Sequence, residues 1–67
     1  MILNIELEQE EDGRWIAEVA ELPGVMAYGV TPEEAKSKVQ ALALRVVADR
    51  IENSEAEMDF SSISFTN

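Results

Sequence analysis

The chain has no cysteine and no histidine. No disulfide staple can form, the ordinary zinc ligand sets are missing, and so are the two side chains most readily tuned as nucleophile or general base. Positive charge is scarce as well: five Lys and Arg stand against fourteen Asp and Glu, for a formal net charge of −9. Such a surface repels phosphate backbones, so direct nucleic-acid binding is not expected and the natural complement is a basic partner. No apolar run approaches the roughly 18 residues of a membrane span, and the acidity offers nothing to anionic lipid. The start, MILNIELEQEED, alternates apolar and acidic residues where a secretory signal needs a basic segment and an unbroken apolar one. No export is expected, and a cytoplasmic, soluble protein is the reading.

With 67 residues, the chain is expected to be a single domain over positions 1–67, and a hydrophobic fraction of 46% is enough for it to fold. A domain of this size buries only about 60% of its unfolded surface, and small scaffolds compensate with disulfides, metals or association. With the first two devices gone, self-association is expected.

The pattern predicts an α+β domain of β-β-β-α-β order. Leu3, Ile5 and Leu7 share one face of a first strand, with Asn4, Glu6 and Glu8 on the other. Asp12-Gly13 supplies a hairpin turn, and RWIAEVA returns antiparallel with Trp15, Ala17 and Val19 toward the core. Leu22-Pro23-Gly24-Val25 fits a type II turn, with proline presetting the first central residue and glycine accepting the positive φ of the second. Val25 to Tyr28 completes a three-stranded antiparallel meander. GVTPEE then opens a helix, with Thr31 as N-cap, Pro32 first and Glu34 three residues beyond the cap. The helix runs to about Glu52, ending at Asn53-Ser54; Glu55 to Asp59 reads as a loop. FSSISFT is a last strand, parallel to the first, in which Phe60 falls out of phase with Ile63 and Phe65, so that the strand starts late, near Ser61, or carries a bulge.

At 100° per residue, Ala35, Val39, Leu42, Ala43 and Val46 form the stripe that faces the sheet. Ala41, Leu44, Ala48 and Ile51 form a second stripe on roughly the opposite side, and Val47 lies between the two. Apolar residues on small domains are often exposed without consequence. On a thinly cored domain, Leu44, Ala48 and Ile51 are nevertheless candidates for a partner or oligomer contact.

For chemistry, only carboxylates, hydroxyls and a few bases remain. Glu6, Glu8 and Glu18 offer oxygen ligands for magnesium, but alternating glutamates are more simply the polar face of a strand, and that reading is taken. The tip Glu10-Glu11-Asp12 lacks the ligand series of a calcium loop and reads as a solvated hairpin. Gly24 and Gly29 do not make a phosphate loop, and their role is read as conformational. Neither catalysis nor a cofactor or metal is expected.

Taken in order, EEDGRWIAEV, then LPG, then GVTPEEA and an amphipathic helix resemble the N-terminal domain of the HicB-type antitoxins, over about Ile2 to Ile51. The resemblance implies a partial ribonuclease H-like fold without the nuclease's metal-binding acids. It further implies a partner, a small basic HicA-type toxin that cleaves mRNA and whose active-site surface is masked. Members commonly continue into a DNA-binding domain; residues 1–67 hold none, so operator binding is not carried over. The family's usual proline-aspartate before LPG is here Ala20-Glu21. On this reading Glu10, Glu11 and Asp12 steer the partner, while Pro23, Gly24, Gly29, Thr31 and Glu34 shape the scaffold. The alternative is an orphan oligomeric scaffold without a toxin.

Overall fold

In the computed structural model, which describes residues 1–53 and 62–67, alternation becomes strand and helical periodicity becomes helix in the expected order. The elements are β1 (Ile2–Gln9), β2 (Trp15–Val19), β3 (Met26–Gly29), α1 (Pro32–Glu52) and β4 (Ser64–Thr66). One sheet of order β3-β2-β1-β4 carries the helix on one face. The β1–β2 and β2–β3 pairs are antiparallel, and β4 runs parallel to β1 with Ile2 opposite Ser64. Parallel pairing requires the chain to be returned to the starting end, and α1 lies between β3 and β4 in the chain. The expectations for Ser54, the 55–59 loop, Phe60 and Ser61 fall outside the described residues.

Both turns follow their local chemistry. Gly13 takes φ +92° and donates its N–H to the Glu10 carbonyl at 2.9 Å, while Glu10 N–H donates to the Arg14 carbonyl at 2.7 Å. This is a longer hairpin loop closed by a left-handed glycine rather than a two-residue turn centred on Asp12-Gly13. The Asp12 carboxylate accepts from Arg14 N–H at 3.0 Å and pairs with Arg14 Nε at 2.7 Å. At the second turn Gly24 has φ +87° and Val25 N–H donates to the Leu22 carbonyl at 3.0 Å, as a type II turn requires. Leu22 is fully buried, so this turn also supplies core.

The core joins Leu3 and Ile5 of β1, Ala17 and Val19 of β2, Leu22 and Val25 of the turn, and Ala35, Val39, Ala43 and Val47 of α1. Trp15, Leu42, Val46, Ile63 and Phe65 pack against it half-buried. The helix row therefore differs from the projected stripe: Val47, expected between two stripes, is 2% exposed, and Leu42 and Val46 move to the flank. A row spaced by four residues drifts about 40° per step, so it lies obliquely along the helix. Its small alanines and valines let the helix settle close to the strands, while the larger Leu42 fills the side.

The β3 strand is displaced one residue from the expected Val25–Tyr28, because Val25 closes the turn. Its end explains Gly29. A Cβ there would lie 2.5 Å from Ala35 N and 2.9 Å from Glu34 Cβ. The residue is glycine because the strand end touches the first helical turn, a demand for space rather than for backbone freedom.

Candidate functional site

Side chains on the sheet face away from the helix come from alternate positions. The register sets Met26, Glu18 and Glu6 in one row across β3, β2 and β1, and Tyr28, Ile16 and Glu8 in the next. Like charges directly opposite each other are unfavourable, and Glu18 faces Glu6 with no cation in the row. Glu6, Glu8, Glu10 and Glu18, with Leu7 and Ile16, line an open depression of about 370 Å³. Among the described residues, no three acidic groups gather closely enough to hold a metal ion, so the magnesium arrangement weighed for Glu6, Glu8 and Glu18 is not formed.

Among the described residues the charge is one-sided. From Ile2 to Gly29 there are seven acids and one base, Arg14; from Pro32 to Glu52 there are four of each. The sheet is therefore the negative half and the helix is balanced. Arg14 is held locally twice over, by Asp12 and by stacking 4.7 Å from the Tyr28 ring centroid. Its guanidinium and backbone N–H hold the Asp12 carboxyl below its ordinary value, the backbone bond contributing most.

Of the hairpin residues expected to steer a partner, Glu10 and Glu11 project acid at the tip, whereas the Asp12 charge is largely committed to Arg14. The helix candidates sit elsewhere. Leu44 and Ile51 are 48% and 52% exposed and Ala48 is exposed, all on the side of α1 away from the sheet. Because Gly29 pairs with Trp15, α1 starts at the hairpin end and carries Ile51 to the other end. The structure thus does not unite the two sets into one site; the acidic and apolar candidates mark separate surfaces.

The scaffold residues take their expected places. Glu34 N–H donates to Thr31 Oγ1 at 3.1 Å, and Pro32 opens the helix. The returning Glu34 carboxylate accepts from Val30 N–H at 3.0 Å, one residue before the position usual for a capping box, and it also meets Lys38 Nζ at 3.4 Å. Those partners, Val30 first, hold the Glu34 carboxyl below its ordinary value.

Sequence reading overlooked two features. Glu21 reaches from the end of β2 to accept from Asn4 N–H at 2.8 Å and from the Asn4 side-chain amide, while Thr66 Oγ1 donates to Asn4 Oδ1. These bonds tie β1, the turn after β2 and β4 together at one point, and they hold the Glu21 carboxyl low. The signal was an asparagine inside an otherwise alternating strand, a residue type disfavoured there unless its amide is used. The other feature is the apolar edge formed by Met26, Tyr28 and Val30.

No protein family, curated protein or solved structure matches the chain. Among the described residues, no helix is long and apolar enough to cross a membrane.

Proposed function

We propose that this chain is a non-enzymatic, cytoplasmic HicB-like antitoxin that masks the RNA-binding and active-site surface of a small basic HicA-type toxin. The observation that carries this reading is the concentration of uncompensated acid on the sheet half, above all the facing pair Glu6–Glu18 with Glu8 and Glu10 beside it. A cluster that costs the isolated protein stability is relieved when cationic side chains enter it. Complementary fields also speed encounter and discourage wrong partners. The β-β-β-α-β order is the one the resemblance implies. On this reading the sheet face and Glu10-Glu11 make the charged contact.

A second reading, an oligomeric scaffold without a toxin, draws on the exposed Leu44 and Ile51. The two separate in a cleavage assay with the small basic protein encoded beside this gene. The inhibitor reading expects RNA cutting to stop at equimolar ratio, association to slow as salt rises, and Glu6→Gln with Glu18→Gln to weaken inhibition about tenfold or more. Unchanged cutting at saturating protein, or the absence of any basic neighbour that binds, would leave the scaffold reading. Cleavage of RNA by this chain alone with magnesium would sink both.

A further inference from the structure

In an antiparallel ladder the backbone groups of successive residues point alternately to one neighbour and to the other. Val19 N–H donates to the Val25 carbonyl, and Glu10 N–H to the Arg14 carbonyl, which fixes the phase on both sides of β2. Val25, Ala27 and Gly29 therefore address β2, while the N–H and C=O groups of Met26 and Tyr28 point to the edge of the sheet that is free among the described residues. Beyond them, Val30 N–H is already donated to Glu34.

Natural sheet edges are blocked by charges, proline or bulges. Where β1 runs past the short β4, its edge carries Glu6 and Glu8. The β3 strand itself carries nothing of the kind, and the one charge beside it is the Arg14 guanidinium stacked over the Tyr28 ring. From Leu22 through Pro32 there is no charged residue, in a chain that is 28% charged, and Met26, Tyr28 and Val30 stand 39%, 41% and 72% exposed on its open face.

We infer that the free edge of β3 takes the β3 edge of a second copy of this chain, antiparallel and symmetric about Ala27, joining the two sheets into one. Charge selects the occupant: a basic partner is drawn to the glutamate rows, whereas the neutral edge is where two chains of net charge −9 can meet with least repulsion. Geometry selects the register. With the two-fold axis at Ala27, Met26 opposes Tyr28 of the second copy and Tyr28 opposes its Met26, so the outward N–H and C=O groups of both residues are used. A register centred on Tyr28 would set Met26 against Val30, whose N–H is spent on Glu34. The chosen register also places a methionine against a tyrosine ring on the open face, a favourable sulfur–aromatic pairing, and sets two alanines face to face on the helix side. This surface is separate from the acidic face, so the inference stands apart from the inhibitory reading. The strand is four residues long, which puts the interface in the weak class of below roughly 1,200 Å².

The chain has no cysteine, so a single introduced thiol reports the geometry. Directly opposed residues of a non-hydrogen-bonded pair have Cα atoms about 4.5 Å apart, within the roughly 4.4–6.8 Å of a disulfide. With oxidised glutathione at high protein concentration, Ala27→Cys is expected to become a covalent dimer about tenfold faster than Leu44→Cys. Sedimentation equilibrium on the cysteine-free chain should give a mass rising toward twice the monomer with concentration. Tyr28→Pro, which removes an outward N–H and leaves the β2 ladder intact, should return it to monomer with unchanged far-UV circular dichroism, and Met26→Glu should do the same. A monomeric mass at every concentration, association that survives both substitutions, or faster crosslinking through Leu44→Cys would overturn the inference.

Discussion

Two glycines end β-structure in this molecule for opposite reasons, and substitution separates them. Gly24 sits at φ +87° with open space around it, so Gly24→Ala pays for the left-handed backbone alone, about 1–2 kcal/mol. Gly29 has no such φ, but a methyl group there strikes Ala35 N, and Gly29→Ala is expected to cost about 3 kcal/mol as strand and helix are forced apart. Urea unfolding should rank Gly29→Ala as the less stable variant, and a reversed order would show that the strand–helix approach yields easily. The Glu21 carboxylate makes a pH prediction. Its bonds from Asn4 lower its folded-state pKa below the ordinary 4.5, so the stability it contributes is full above that value and is lost as pH falls through the lowered one. Glu34 acts in the same direction through Val30 and Lys38. Glu21→Gln is expected to be less stable than the parent at pH 7 and to lose less on acidification below about 4.5, as read from denaturant midpoints across pH.

The helix shows at the scale of an element why some features are legible in sequence and others are not. Its start was readable because Thr31 and Glu34 accept bonds from backbone within four residues and Pro32 presets its own φ. Thr31→Ala is expected to remove about 1 kcal/mol, measured by thermal or urea unfolding, with little change in helix content once folded. Strand faces in β1 and β2 were equally readable, since alternation needs no knowledge of partners. Which helix row meets the sheet was not fully readable, because Val47 and Val46 are equally apolar and only the angle at which α1 crosses the strands decides between them. The Asn4–Glu21 tie was hidden for a like reason: its partners are 17 residues apart, and the third member, Thr66, is 62 from Asn4. Such contacts become visible only once strand order is known. The excess of acid was legible in composition, but Glu6, Glu8 and Glu18 read as an ordinary polar strand face, and only strand order shows that the hairpin tip and the helix stripe mark separate surfaces.

For the whole molecule, the deciding quantity is the distribution of charge rather than its total. Seven acids against one base on the sheet half repel one another through water, and mobile ions weaken that repulsion over a Debye length of about 10 Å at 0.1 M salt. Raising sodium chloride from 10 to about 200 mM is therefore expected to raise the unfolding free energy, by about 1 kcal/mol or less, as read from the urea midpoint. Replacing Glu18 by glutamine should remove part of that salt response, because it breaks the facing pair with Glu6. A salt response that is flat in the parent would mean that the acids are too well hydrated to strain the fold.

Because the helix carries equal numbers of acids and bases while residues 2–29 carry six of the nine net negative charges, the described residues have an electrical front and back. On a positively charged resin or bead it should settle strands-down, leaving the amines of Lys36 and Lys38 turned to the liquid as handles for coupling a label without disturbing the buried side.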